Sequence, residues 1–460
     1  MAESDQPQRH DLAQKIPPIS FETGQEQGDS QQKQVGYKLE SASSDLEKVE
    51  PEDPSPAPAI DFPDGGWRAW CNVGGAWCIS FTSWGFTNSF GVFQTYYQDH
   101  QLADKTPSDI SWIGSCQLAT VLLCAIFAGK LFDAGKIKYL LFTATLLYAA
   151  GLFGLSCATE YWQIFLAQGI ACGLASGIAF LPAASSVSHW FKHRRATALG
   201  VLATGSSVGG VVYPIMLNRL FTRIGFAWTV RAAGFLTLGL LAIANLTVNS
   251  RLPPRKIEKI FDFRPLKETG FLLFVLGETI IMWGIYSPYF YVQDYAIEHG
   301  VSPNLAFYAL SILNAASVLG RIIPNWLADT YGPLTILIPN CALSGILIFL
   351  FLPMCRTEAG VVVFSVLFGI ASGAYVSMMP ATVASMTKNM AEVGHRTATM
   401  FLVVSITALT GTPITGAIIV REGGSYIGAF VCSGVFVLVG TAFIMASWWV
   451  VSREKGTRWV

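Results

Sequence analysis

GIASGAYVSMMP, residues 369–380, is a second copy of GLASGIAFLP, residues 173–182, displaced by 196 residues. The same displacement separates Asp133 in GKLFDAGK (129–136) from Asp329 in NWLADTYGP (325–333). A third pair, HRRATALG (193–200) with Arg195 and GHRTATMF (394–401) with Arg396, keeps the register to within five residues. Chance similarity among apolar runs would not hold one register across three separate loops and their flanking segments. The chain is therefore a duplication, and its fold is the fold of one copy met twice.

Each copy contains six apolar runs long enough to cross a bilayer, for which about 20 residues suffice. In the first copy they fall at 70–96, 111–132, 139–158, 161–187, 196–217 and 227–248. In the second they fall at 270–292, 304–327, 334–352, 361–386, 397–420 and 427–451. The composition agrees, being 52% hydrophobic and only 13% charged, against about 25% charged in soluble domains. The fold class expected is an all-α membrane protein of twelve transmembrane helices in two six-helix pseudo-repeats. The domains expected are an N-terminal bundle over 63–249, a charged connector over 250–269, a C-terminal bundle over 270–451 and a short tail over 452–460.

Residues 1–62 are of another kind. The first sixty hold 12 of the 30 acidic and 5 of the 30 basic residues. They are rich in Gln, Ser and Pro and have too little apolar surface to fold alone, so a disordered tail is expected. It has no apolar h-region, so the first span is expected to direct insertion. Basic residues set the orientation, since short cytoplasmic loops retain them. With the tail inside, the inner loops and C-terminus carry 17 lysines and arginines and the outer loops five. Both termini are expected in the cytoplasm.

Four residues read as gates at the cytoplasmic face: Asp133 and Asp329, which close spans two and eight, and Arg195 and Arg396, which open spans five and eleven. A carboxylate gains about 0.3–1 kcal/mol at a neighbouring helix N-terminus. Gly169, Gly173 and Gly177 put small residues on one face of the fourth span, for close helix packing. The nine cysteines are scattered singly, which reads as packing and neither as a disulfide frame nor as a metal site.

Arg321 has no basic counterpart in the first copy, where Ala125 stands at the same displacement. A guanidinium inside a span costs roughly 2.5 kcal/mol or more and needs water, a partner or an anionic ligand. Substrate binding is one reading; snorkelling, or an ion pair with Glu278 or Asp329, is the other. Glu278 lies at similar depth on the antiparallel neighbouring span and is the candidate proton-coupling residue, because low dielectric disfavours the charged form of a carboxyl. Asn88, Asn314, Tyr286 and Tyr289 are the other candidate substrate-binding residues. No phosphate-cradling GxxxxGK[ST] loop and no His or Cys cluster of metal-ligand spacing is present, so no metal, cofactor, enzymatic activity or nucleic-acid partner is expected. A gradient must supply the energy, with protons as the candidate coupling ion.

A duplicated six-helix unit with a central connector resembles the major facilitator transporters, which bind solute at mid-membrane between rocking halves. PDGGWRAW (63–70), HWFKHRRATALGVLATGSSVGG (189–210) and SVLGR (317–321) resemble motifs of the monocarboxylate porter family within that superfamily, its fungal branch above all. The resemblance implies that Arg321 holds a carboxylate. The lactate carriers of the family also use an aspartate four residues earlier and a lysine in the first span, where Ser317 and Asn88 stand here. The function expected is secondary active or facilitative transport of a small organic solute, a monocarboxylate or similar polar or anionic metabolite, by alternating access in the plasma membrane, with the vacuolar membrane as the other location. Two rivals stand beside it: an antiporter exporting a fungal secondary metabolite, and a non-transporting nutrient sensor that would lose its output on removal of the tail.

Overall fold

With no water in the hydrocarbon core to satisfy the backbone, an apolar chain closes its own hydrogen bonds as helices. The computed structural model describes residues 63–251, 263–387 and 392–460, and among them only helices, turns and irregular segments occur. The contacts separate the chain into Met1–Asp61 and Phe62–Val460. The expected disordered tail (1–62), most of the connector and Lys388 lie outside the described residues.

Among the described residues, twelve membrane helices are present. α1 is assembled from Trp67–Ser80, a π-helical segment Phe81–Gly85, Phe86–Asn88 and Phe90–Asp99. α2 is Pro107–Asp133, α3 Ile137–Leu155 and α4 Tyr161–Ser188, itself π-helical over Phe165–Cys172. Arg195–Thr247 contains both α5 and α6, which part at Gly225, whose φ of 72° no ordinary helix contains. The second repeat follows: α7 (Thr269–Ile285 and Ser287–Glu298), α8 (Pro303–Tyr331), α9 (Pro333–Met354), α10 (Glu358–Met386), α11 (Val393–Arg421) and α12 (Ile427–Lys455). Pro182 and Pro380 sit inside α4 and α10 at matching places of the two copies, as membrane helices allow.

Both ends of the described chain are tied to one end of the bundle, hereafter the termini end. Before α1, Asp64 accepts hydrogen bonds from the backbone N–H groups of Lys192 (2.5 Å) and His193 (2.8 Å), ahead of α5. Burial alone would raise the Asp64 pKa, but these backbone donors and the nearby His193 hold it below the usual carboxylate range. After α12, the Val460 carbonyl accepts from Thr335 N–H in the first turn of α9 (3.1 Å).

Glycines set how closely the helices approach. α1 lies against α5, and α7 against α12; α8 meets α5, and α2 meets α11, across the repeats. A Cβ on Gly205 would stand 2.3 Å from the Trp77 carbonyl oxygen, and one on Gly85 2.6 Å from Gly209 Cα. Since overpacking costs about 1–3 kcal/mol, Gly205→Ala is expected to lower the thermal unfolding midpoint of the purified protein by several degrees. An unchanged midpoint would mean that α1 and α5 are free to separate.

Candidate substrate cavity

Lipid-facing and protein-facing sides of these helices are equally apolar, so polar atoms mark the interior. Between the repeats lies a cavity whose empty space, adjoining open solvent included, is about 630 Å³, walled by α1, α2, α4, α5, α7, α10 and α11. Its surface is mainly Leu, Val, Met, Ala, Pro, Phe and Trp; the polar contributions are Ser80, Trp84, Ser206, Tyr286, Tyr375 and Ser377. A smaller space of about 260 Å³ is bounded by Asn88, Tyr286, Tyr289, Thr87 and Phe290, among others. Tyr286 borders both. The structure thus gathers three of the five expected binding residues around the smaller space.

Arg321 is buried, 1% exposed. Its Nη1 donates to the Ala203 carbonyl at 2.7 Å and to the Ser206 hydroxyl, both on α5 of the other repeat. Its Nε has no hydrogen-bond partner. Arg321 itself does not wall the large cavity, although Ala203 and Ser206 do. It pairs with neither Glu278 nor Asp329. Neither carboxyl oxygen of the fully buried Glu278 makes a hydrogen bond of good geometry; the Tyr375 hydroxyl donates to the Glu278 main-chain carbonyl at 3.1 Å. Asn314 adjoins neither space: it packs against Gly210 and donates to the Leu310 carbonyl at 3.0 Å.

At the termini end, Asp329 reaches across the repeats. Its carboxylate accepts from the N–H groups of Ala196 and Thr197, both at 3.1 Å, and from the Thr197 hydroxyl at 2.6 Å. α5 has no capping bond from its own N-cap residue, so a residue of the other repeat satisfies donors that every helix start leaves open. Arg195 Nε donates to the Phe191 carbonyl at 3.2 Å, and Asp133 is half-buried at the end of α2. Arg396 makes a two-pronged ion pair with Glu268 (2.6 and 2.7 Å), just ahead of α7, and a longer one with Glu392 (3.3 Å), just ahead of α11. Further from the termini end, the Ser207 and Ser317 hydroxyls meet at 2.7 Å, Ser115 bonds Thr412, and the Phe90 and Phe290 rings lie 5.6 Å apart. The cavity is therefore bridged across the repeats on both sides.

Sequence reasoning missed Ser80, Trp84, Ser206, Tyr375 and Ser377. They stand in spans apolar on every side, so hydropathy gives no signal of which face looks inward; the four-residue spacing of Ser80 and Trp84 is the one cue.

Twelve helices in two repeats around a central cavity define an integral membrane carrier. The chain belongs to the Major Facilitator Superfamily, whose family model matches residues 70–361 and 279–460. It is similar to the MFS transporter asaE of Aspergillus flavus, 41% identical over 411 residues that cover 88% of this chain and 92% of that protein. It is also similar to the agnestins efflux protein AgnL12 of Paecilomyces divaricatus (40% over 377 residues; 81% and 85% covered). A third relative is the aspyridones efflux protein apdF of Emericella nidulans (38% over 373 residues; 81% and 76% covered). Among solved structures, the peptide transporter POT in complex with sulfate shares the fold, with a TM-score of 0.65 at 14% identity over 85% of this chain and 97% of that one.

Proposed function

We propose that this carrier exports a hydrophobic, largely uncharged organic metabolite by alternating access. The observation that carries the reading is the wall of the large cavity, which is apolar and aromatic apart from a few hydroxyls and one indole. Arg321, the residue expected to hold a carboxylate, spends Nη1 on α5. Two relatives named as efflux proteins support the same direction, so the export alternative displaces monocarboxylate uptake as the leading reading. In this scheme Asp329 clasps the termini end shut, with Asp133, Arg195 and Arg396 steadying the same face. Both termini lie in the cytoplasm, and the membrane is the plasma membrane. The motifs resembling those of the monocarboxylate porters support membership of that branch of the superfamily.

A second reading, transport of a monocarboxylate, is favoured by one observation: Asn88, Tyr286 and Tyr289 share a space. Inside-out vesicles from an expressing yeast separate the two. Uptake of a fluorescent apolar compound, driven by acid inside, is expected for the exporter; selective uptake of labelled monocarboxylates into right-side-out vesicles would replace that reading. Glu278 is the proposed proton site. With Glu278→Gln, the dependence of flux on the imposed pH gradient should shrink to less than about twofold while downhill exchange continues, because an amide in the same buried place exchanges no proton. Retention of the full pH dependence would remove Glu278 from the mechanism.

A further inference from the structure

Two side chains of α1 that wall the large cavity carry buried polar atoms without a partner. Ser80 Oγ and Trp84 Nε1 make no hydrogen bond, although Ser80 is 1% and Trp84 6% exposed, and both side chains wall the cavity. Their neighbours behave differently. Thr82 and Ser83 return their hydroxyls to the Ile79 carbonyl of their own helix, at 3.1 and 2.7 Å. An unmade bond at a buried donor costs about 1–3 kcal/mol, so it is retained where something else completes it.

The duplication shows which of these atoms belongs to the scaffold. Trp77 donates its indole N–H to the Thr204 hydroxyl at 3.1 Å, and Trp283 donates to Thr410 at 3.0 Å, each pair 127 residues apart in the chain. That bond is common to both repeats. In the same register, Ser80 corresponds to Tyr286 and Trp84 to Phe290. Ser80 and Tyr286 both wall the cavity, whereas the indole N–H of Trp84 is replaced by a ring without a polar atom. The Trp84 donor is therefore no part of the shared architecture.

Its position is fixed from both sides. Trp84 lies in the π-helical segment Phe81–Gly85, whose last residue touches the Gly209 backbone. Its ring stands edge-on to Phe180 of α4 at 5.5 Å, and Phe180 also walls the cavity. An indole nitrogen can only donate, whereas a serine hydroxyl donates or accepts. We infer that Trp84 and Ser80 form the polar recognition point of the cavity, taking a carbonyl or similar neutral acceptor of a ligand whose apolar body lies along Phe180. This rests on the exporter reading for its ligand class and adds the feature by which the cavity selects within that class.

The test uses purified full-length protein in detergent and two probes of one ring skeleton, 9-fluorenone, which has the carbonyl, and fluorene, which lacks it. Calorimetry should show the wild type favouring the ketone about tenfold. In Ser80→Ala/Trp84→Phe that preference should vanish, with fluorene affinity unchanged within about twofold. Trp77→Phe, which removes an indole already bonded to Thr204, should leave the preference intact and reports whether loss of an α1 indole alone disturbs the fold. Equal weakening of both probes in the double variant would reduce Trp84 to packing. Absence of a ketone preference in the wild type would overturn the inference outright. Neither result depends on transport direction, so vesicles that fail to export would sink the exporter reading and leave the recognition point standing.

Discussion

Asp329→Ala is expected to lower outward flux about tenfold. The carboxylate accepts three hydrogen bonds, two from backbone N–H groups in the first turn of α5 and one from the Thr197 hydroxyl. Bonds to a charged group contribute about 1.5–3 kcal/mol when shielded, and a carboxylate at a helix N-terminus about 0.3–1 kcal/mol. Asp329 is solvent-exposed, so screening leaves about 1–2 kcal/mol for the clasp. That shifts the balance between closed and open termini ends roughly five- to thirtyfold. Labelling reports the shift directly. A cysteine at Ala184, on the cavity wall, should react faster with an impermeant thiol reagent from the termini end in the Asp329→Ala background. Asp329→Asn, which keeps one acceptor oxygen and loses the charge, should fall between. Flux and labelling that match the wild type would show that the halves close without this residue.

Arg321→Ala is expected to reduce transport tenfold or more, and equally for neutral and anionic cargo. The guanidinium joins α8 to α5 through Ala203 and Ser206, in a place where 1% of the residue is exposed. Its removal relieves part of the desolvation penalty that any buried charge carries, so thermal stability should change less than flux. What is lost is a tie between repeats that must part and rejoin in each cycle. Arg321→Lys supplies one donor group without the rigid fork and should recover part of the rate. A loss confined to anionic cargo, with the apolar compound still exported at the wild-type rate, would return Arg321 to the role of carboxylate anchor.

These two residues show what a sequence can reveal in a membrane carrier. Both stood out because charge is rare inside or beside apolar spans: Asp329 through its twin Asp133 at the 196-residue displacement, Arg321 through the lack of any twin. Their partners were not legible, since Ala203, Ser206, Ala196 and Thr197 are ordinary small residues of α5 that become partners only when the repeats meet. Glu278 was legible as a rare acid, but its isolation from Arg321 was not. The sequence placed the two at similar depth, and depth says nothing about azimuth around a helix.

The amino-acid sequence by itself determined the number of spans, the duplication, the excess of basic residues at one face and the places where charge enters the membrane. Each of these is set by length, composition or repetition along the chain. The tertiary structure alone decided which side of each helix looks inward, which partners Arg321 and Asp329 take, and that Ser80 and Trp84 share a wall with Phe180. In water the solvent polarises a helix into two faces. Lipid is as apolar as the protein interior and imposes no such division, so the inward face is set by close packing at glycines such as Gly85, Gly205 and Gly209.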